Sequence, residues 1–215
     1  MQSVFIRPDG RRFLRGDPND VLDDDVYVTV AESDVSRYER MGFVVSRRED
    51  EYLLSTDRYA VAPPPGFAFR RADEVDEARL RQLDDALRQD VPGTDGWRWD
   101  PAGFRAETFE SPAFDAATYL VAVDGRDDYV GLARVWMNRP TPRLGMIGVL
   151  ARYRRRGLAK ALLEAVFSEL HERGAAEVST EVDVRNVASQ ALLAGFGAHR
   201  IGGHVELIRR ASSRL

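Results

Sequence analysis

Cysteine is missing from all 215 residues, and its absence removes disulfides, thiolate nucleophiles and cysteine metal sites together. Three scattered histidines offer too few ligands for a zinc site, so no metal is expected. No apolar run reaches the roughly 18 residues of a membrane span, and no N-terminal stretch has the make-up of a signal peptide. A cytoplasmic protein with no membrane partner is the expectation. Positive charge is not in surplus either: 31 Lys and Arg against 35 Asp and Glu leave a formal net charge of -4, which gives no general pull toward nucleic acid. What is present, 44% hydrophobic and 31% charged residues, suits one main globular core.

Consecutive prolines favour extended chain and cannot continue a ladder, so Pro63-Pro64-Pro65-Gly66 marks the clearest boundary. Residues 67–215 then read as one α/β domain with helices on the faces of a sheet. A strand is expected over 67–70, and a helix over 73–89 with Val75, Leu80, Leu83 and Leu87 on its apolar side. A loop rich in Pro and Gly covers 91–101, and a short helix 102–109. Strands follow at 119–123, 129–137 and 144–150, and a helix runs from Gly157 to a stop at Gly174. A strand over 177–184, a helix over 187–196 and a pair of strands turning at Gly202-Gly203 close the chain.

The run Arg152-Tyr153-Arg154-Arg155-Arg156-Gly157 stands between a strand and the longest helix. Leu158, Leu162, Val166 and Leu170 recur at helical spacing, so Arg154, Arg155 and Arg156 sit at that helix's N-terminus. The helix dipole already places positive charge there, and unpaired N–H groups point outward. Each added cation therefore costs about 0.3–1 kcal/mol unless an anion sits nearby. A pyrophosphate would offset that cost, because successive amides and a residue lacking Cβ let backbone come close to its oxygens.

With the loop placed this way, residues 66–210 resemble the GNAT superfamily of N-acetyltransferases. The family's acyl-CoA signature, Gln/Arg-x-x-Gly-x-Gly/Ala, is met by Arg154, Gly157 and Ala159, with Arg155, Arg156 and Leu158 between them. A second match is independent: Glu181-Val182-Asp183-Val184-Arg185-Asn186, followed by Ser189, Leu192 and Gly197. The resemblance implies a mixed, mostly antiparallel central sheet with helices on both faces. It also implies that Ile147, Gly148 and Val149, continuing from Met146, meet the pantetheine arm of acetyl-CoA through their main chain. The loop from Arg154 to Ala159 would hold the pyrophosphate, and Asn186 would contact the cofactor, a role compatible with capping the following helix.

Two positions depart from the family pattern. Ala198 stands where Phe is common, and Leu193 stands where many members carry a tyrosine that protonates the departing thiolate. A thiol pKa of about 8.5 makes thiolate a fairly stable leaving group, so slower chemistry is expected rather than none. Glu181, five residues before Asn186, is the candidate proton acceptor, with Asp183 in reserve on the same strand face. Since no cysteine can carry an acyl group, the expected reaction is direct transfer of acetyl from acetyl-CoA to an amine of a small-molecule or peptide acceptor. The alternative is an acyl-CoA-binding sensor or assembly protein with weak or no catalysis.

Trp97, Trp99 and Trp136 are candidates for the acceptor pocket, because aromatic faces beside carboxylates such as Asp95 and Asp100 suit a cationic amine. Packing of the loop onto the core is the competing role for the first two. Residues 1–62 resemble the last third of the same family: a hairpin over 4–14 precedes a strand over 26–30, a short helix over 33–41 and closing strands over 43–55. This small α/β fragment has no arginine-glycine loop, and its Tyr38 aligns with Leu193. It is expected to cover a sheet edge or to make a homodimer contact; supply of the missing acid by Tyr38 is a further hypothesis.

Overall fold

Turn residues break the sequence into short apolar runs, and the computed structural model, which describes residues 3–15 and 24–211, folds these into ten strands and five α-helices. The expected N-terminal segment, 1–62, thus includes residues outside the described ones. Its elements are β1 (Ser3–Ile6), β2 (Arg12–Arg15), β3 (Val26–Ala31), α1 (Val35–Glu39) and β4 (Val44–Ser55). Next come β5 (Phe67–Arg71), α2 (Glu77–Arg88), α3 (Pro101–Thr108), β6 (Tyr119–Asp124), β7 (Tyr129–Trp136) and β8 (Arg143–Val149). The chain ends with α4 (Leu158–Glu172), β9 (Glu177–Asp183), α5 (Val187–Ala194) and β10 (His199–Arg209).

Two compact units form. One comprises residues up to Glu51 with Glu181–Val184 and Arg200 onward; the other comprises Tyr52–Thr180 and Arg185–His199. In the first, β1 and β2 make the expected hairpin, with Gly10 turning the chain at φ +80°. β3 pairs in parallel with β2 at Phe13↔Tyr27 and antiparallel with β10 from His204↔Ala31 to Arg209↔Val26. That second ladder ties residues 204–209 to an N-terminal strand, which groups them with the residues up to Glu51. Val26, Val28 and Val30 alternate inward and pack with Val35, Phe43, Val205 and Leu207.

β10 is one continuous strand of 11 residues, not two strands turning at Gly202-Gly203. A two-residue hairpin turn requires positive φ at a central glycine, and neither glycine is among those with positive φ. Gly203 answers a different need. A Cβ there would fall 2.9 Å from the Glu49 carbonyl oxygen and 2.8 Å from Arg200 Nη2, and Arg200 is itself held by Glu32 and Asp50, each at 2.7 Å. Residues 44–55 likewise form a single strand.

In the second unit β5, β6, β7 and β8 pair antiparallel in order, and β8 pairs with β9 in parallel at Arg143↔Ser179. β7 is buried from Tyr129 to Val135, so this strand needs cover on both faces. Leu80, Leu83 and Leu87 of α2 and Phe104 of α3 pack with Val121, Leu132 and Met146 on one face. Helix α4 packs on β6, β7 and β8 as well and supplies the other cover. The first helix of the unit starts later than the sequence pattern indicates, because Asp76 caps it by accepting the Arg79 N–H at 2.8 Å.

Replacing Gly203 by alanine is expected to destabilise the fold by about 1–3 kcal/mol, since a backbone oxygen must move. Gly202, where a Cβ meets only the Glu51 side chain at 3.7 Å, should accept alanine with a change within about 1 kcal/mol, or gain from reduced unfolded-state freedom. Urea denaturation of the two variants measures the contrast.

Candidate cofactor pocket

Gly157 begins α4 in the left-handed conformation, φ +80°, and no side chain caps that helix end. Two residues earlier Arg155 is also left-handed, at φ 59°, a conformation that costs a residue with Cβ about 1–2 kcal/mol. The turn leaves the N-terminus of α4 without a side-chain cap, and Leu158, Ala159 and Lys160 of its first turn line a pocket, the arrangement that suits an anion site at a helix N-terminus. Arg154 braces the turn: its Nε donates to the Val149 carbonyl at 2.9 Å, and its guanidinium pairs with Asp90 just beyond α2. The guanidinium carbons of Arg152 and Arg156 lie 5.0 and 5.5 Å from the centroid of the Tyr153 ring. Tyr153 in turn donates its hydroxyl to Asp124 at 2.7 Å, a bond that pulls the Asp124 carboxyl below its usual range.

The cavity measures about 460 Å³. Strand β8 gives one wall through Ile147, Gly148 and Val149, the turn and α4 give the floor, and Asn186, Ala188, Ser189 and Leu192 of the α5 region give another wall. Leu87, Asp90 and Val91 close the side toward α2. Gly148 stands close to α2: a Cβ there would come within 3.2–3.3 Å of the Leu87 side chain, which would have to give by a few tenths of an ångström. Asn186 caps α5 by accepting the Ser189 N–H at 3.2 Å and lines the cavity as well.

Nine of the ten residues expected at the cofactor thus come together: Ile147, Gly148, Val149, Arg154, Arg155, Gly157, Leu158, Ala159 and Asn186. Arg156 lies outside this lining; its Nη2 reaches back to the Arg152 carbonyl at 3.4 Å. Asp90, Val91, Lys160 and Ala188 also line the cavity, and no motif in the sequence marks them. Leu87 belonged to the legible apolar stripe of α2, but nothing in that stripe says which leucine borders a cavity.

The other expected residues sit elsewhere. Glu181 is half-buried on β9, within the first unit, while its neighbour on the same strand face, Asp183, is buried and bonded to Arg47 Nε at 3.0 Å. Trp99 is a core residue: its indole N–H donates to Asp84 at 2.9 Å and its main-chain N–H to Asp85 at 2.8 Å. Trp97 packs edge-on against it, ring centroids 4.6 Å apart. Leu193 is buried, and Tyr38 packs edge-on against Phe43 in the first unit.

Asp84 gathers a buried polar cluster that the sequence does not announce. It is fully buried on α2 and pairs with Arg88 one turn on and with Arg134 of β7 at 3.2 Å. Asp85 beside it pairs with Arg81 at 3.3 Å. Two buried carboxylates need this many donors, because an unpaired charge in the interior is strongly unfavourable.

A mixed sheet with helices on both faces, and a cofactor-sized cavity at an uncapped helix N-terminus, suit the class of proteins that bind a phosphate-bearing cofactor. The family model described as "Acetyltransferase (GNAT) family" matches residues 80–198, more than half of the chain, and the protein belongs to that family. Among solved structures it is similar to a GCN5-related N-acetyltransferase from Sphaerobacter thermophilus, with a TM-score of 0.78 at 19% identity, covering 100% of this chain and 77% of that one. It is also similar to a tandem GNAT protein from the clavulanic acid biosynthesis pathway, with a TM-score of 0.66 at 18% identity, covering 89% and 65%. A GCN5-related N-acetyltransferase from Kribbella flavida gives a TM-score of 0.56 at 14% identity, covering 86% and 68%. No curated protein matches the chain in sequence. No helix among the described residues is long and apolar enough to cross a membrane.

Asp84→Ala would leave Arg134 buried and short of its carboxylate, and should cost about 3–5 kcal/mol in a denaturant titration. Asp90→Ala removes an exposed partner from Arg154 and should change stability by less than about 1 kcal/mol.

Proposed function

We propose that this protein transfers the acetyl group of acetyl-CoA directly to a primary amine of a small-molecule or peptide acceptor, in the cytoplasm. The observation that carries this reading is the single cavity shared by the uncapped α4 N-terminus, the left-handed turn at Arg155 and Gly157, and the β8 wall from Ile147 to Val149. Amides at the helix end suit the pyrophosphate, with Arg154 and Arg155 adding charge. The β8 main chain suits a pantetheine arm and can polarise the thioester carbonyl. Attack by the amine forms a C–N bond, the C–S bond breaks, and the thiolate leaves with the electron pair and takes a proton from solvent. Family membership supports acyl transfer from acyl-CoA; the acetyl donor and the amine acceptor are parts of this proposal.

An amine with a pKa near that of lysine, about 10.4, is mostly protonated at neutral pH, so a base has work to do. Glu181 is proposed for that role from its place five residues before Asn186. Asp183, whose carboxylate is buried and paired with Arg47, stays the reserve candidate. Trp136 is carried forward as an acceptor-side residue; Trp97 and Trp99 are better read as supports for the loop they stand on. Residues 1–62 are read as a partial copy of the family's last third, with β1 at the edge of its strand order as the surface for a second copy of the chain.

Buried Leu193, in place of a hydroxyl, favours a second reading in which acyl-CoA is bound and sensed with little turnover. Following thiol release from acetyl-CoA over a panel of amines separates the two: tight CoA binding without release for any amine selects the sensor. Under the leading reading Glu181→Gln should lower kcat by about 10²-fold or more with the KM for acetyl-CoA little changed. Gly157→Val forces a branched side chain into the left-handed region at the phosphate end. It should weaken CoA by about tenfold while leaving pantetheine, which lacks the pyrophosphate, unaffected; competition titrations report both.

A further inference from the structure

Arg154 and Asp90 are each placed against the dipole of the nearer helix. Arg154 stands ahead of α4, whose N-terminus already carries partial positive charge. Asp90 stands two residues past Arg88, the last residue of α2, where the helix end carries partial negative charge. Each charge is unfavourable alone, and the ion pair between them offsets both. Main chain fixes Asp90 at that spot: its N–H donates to the Leu87 carbonyl at 3.2 Å, and the Val91 N–H donates to the Arg88 carbonyl at 2.8 Å. Arg154 is fixed at Nε by the Val149 carbonyl at 2.9 Å, and it is Nη2 that meets the carboxylate.

Both side chains line the cofactor cavity. The other charged residues of that lining, Arg155 and Lys160, are cationic, so Asp90 is the one carboxylate in it among the described residues. A carboxylate in the wall of a cavity suited to a pyrophosphate acts against that ligand twice. It repels the phosphates, and it holds a guanidinium that a phosphate oxygen would use. The fold does not need the pair to set α2 on the sheet, because buried Asp84 does so through Arg134 and the Trp99 indole. Arg154 and Asp90 are also half exposed, at 47% and 56%, and a solvated pair of this kind exchanges partners at little cost.

We propose that Asp90 competes with the cofactor's pyrophosphate for Arg154, so that the guanidinium passes from carboxylate to phosphate on binding and back on release. Asp90 thereby lowers the affinity for CoA and speeds departure of the spent cofactor. This rests on the cofactor reading above and adds to it the residue that limits binding strength. Arg155 and Lys160 stay available to the phosphates throughout, Lys160 through exchange with Glu164 one turn along α4.

Titration calorimetry with CoA and with pantetheine, which lacks the phosphates, tests the exchange. Asp90→Asn should bind CoA about three- to tenfold tighter at low salt, with pantetheine unchanged. In 1 M salt, where charges are screened beyond about 3 Å, the gain should disappear. Asp90→Glu, which keeps the charge, should bind CoA as the wild type does, and stopped-flow should show the Asp90→Asn gain as slower CoA release. In an Arg154→Gln background Asp90→Asn should bring no gain, since the contested guanidinium is gone. CoA binding that Asp90→Asn leaves unchanged or weakens overturns the proposal. So does an equal gain for pantetheine, which would mark a change of cavity shape, or a gain that survives Arg154→Gln. Failure of the cofactor reading shows separately, as a wild-type protein that binds CoA no tighter than pantetheine.

Discussion

The buried carboxylate of Asp84 is the constraint on which the second unit turns. It accepts from Arg134 of β7 and from the Trp99 indole, so one side chain joins a helix, the sheet and the long loop after α2. Such a junction is stable only when every charge has its partner, and it therefore sets the rotation and height of α2 on the sheet. One turn further along the same helix face, Leu87 meets Gly148, and beyond the helix end Asp90 meets Arg154. The cavity's α2 side inherits its position from the ion pair below it.

At the cavity's other end the controlling feature is backbone conformation. Arg155 and Gly157 in the left-handed region turn the chain sharply from β8 into α4, and no side chain caps that helix end. Arginines gathered at a dipole's positive end are unfavourable in isolation. Here Asp90, the Val149 carbonyl and the Tyr153 ring each take up part of that charge, while an anion in the cavity would take up more. The same segment is thus locally unfavourable and functionally suited, which is where a strained residue such as Arg155 is tolerated.

Periodicity made most elements legible. The α4 stripe from Leu158 to Leu170 follows from side-chain spacing alone, and the arginine-glycine loop was readable because its charge contradicts the helix dipole. Gly202-Gly203 misled because glycine serves two purposes, positive φ and lack of Cβ, and only the neighbours Glu49 and Arg200 show that the second applies. Trp97 and Trp99 looked like pocket residues from composition, yet Trp99 is held in the core by two carboxylates from a different helix. Asp84 and Arg134 are 50 residues apart and carry no local signal, so their pairing was not available to pattern reading.

What the sequence by itself determined is local: which segments are strands or helices, where a phosphate-sized anion could meet a helix end, and which reactions the absence of cysteine removes. Those follow from interactions within a turn or two of chain. The tertiary structure alone decided which leucine of α2 borders the cavity, that residues 200–209 belong with the N-terminal strands, and that Asp84 and Arg134 meet in the core. Each of these depends on long-range register and on the desolvation of charges brought together from distant segments, and neither is written in the spacing of neighbouring residues.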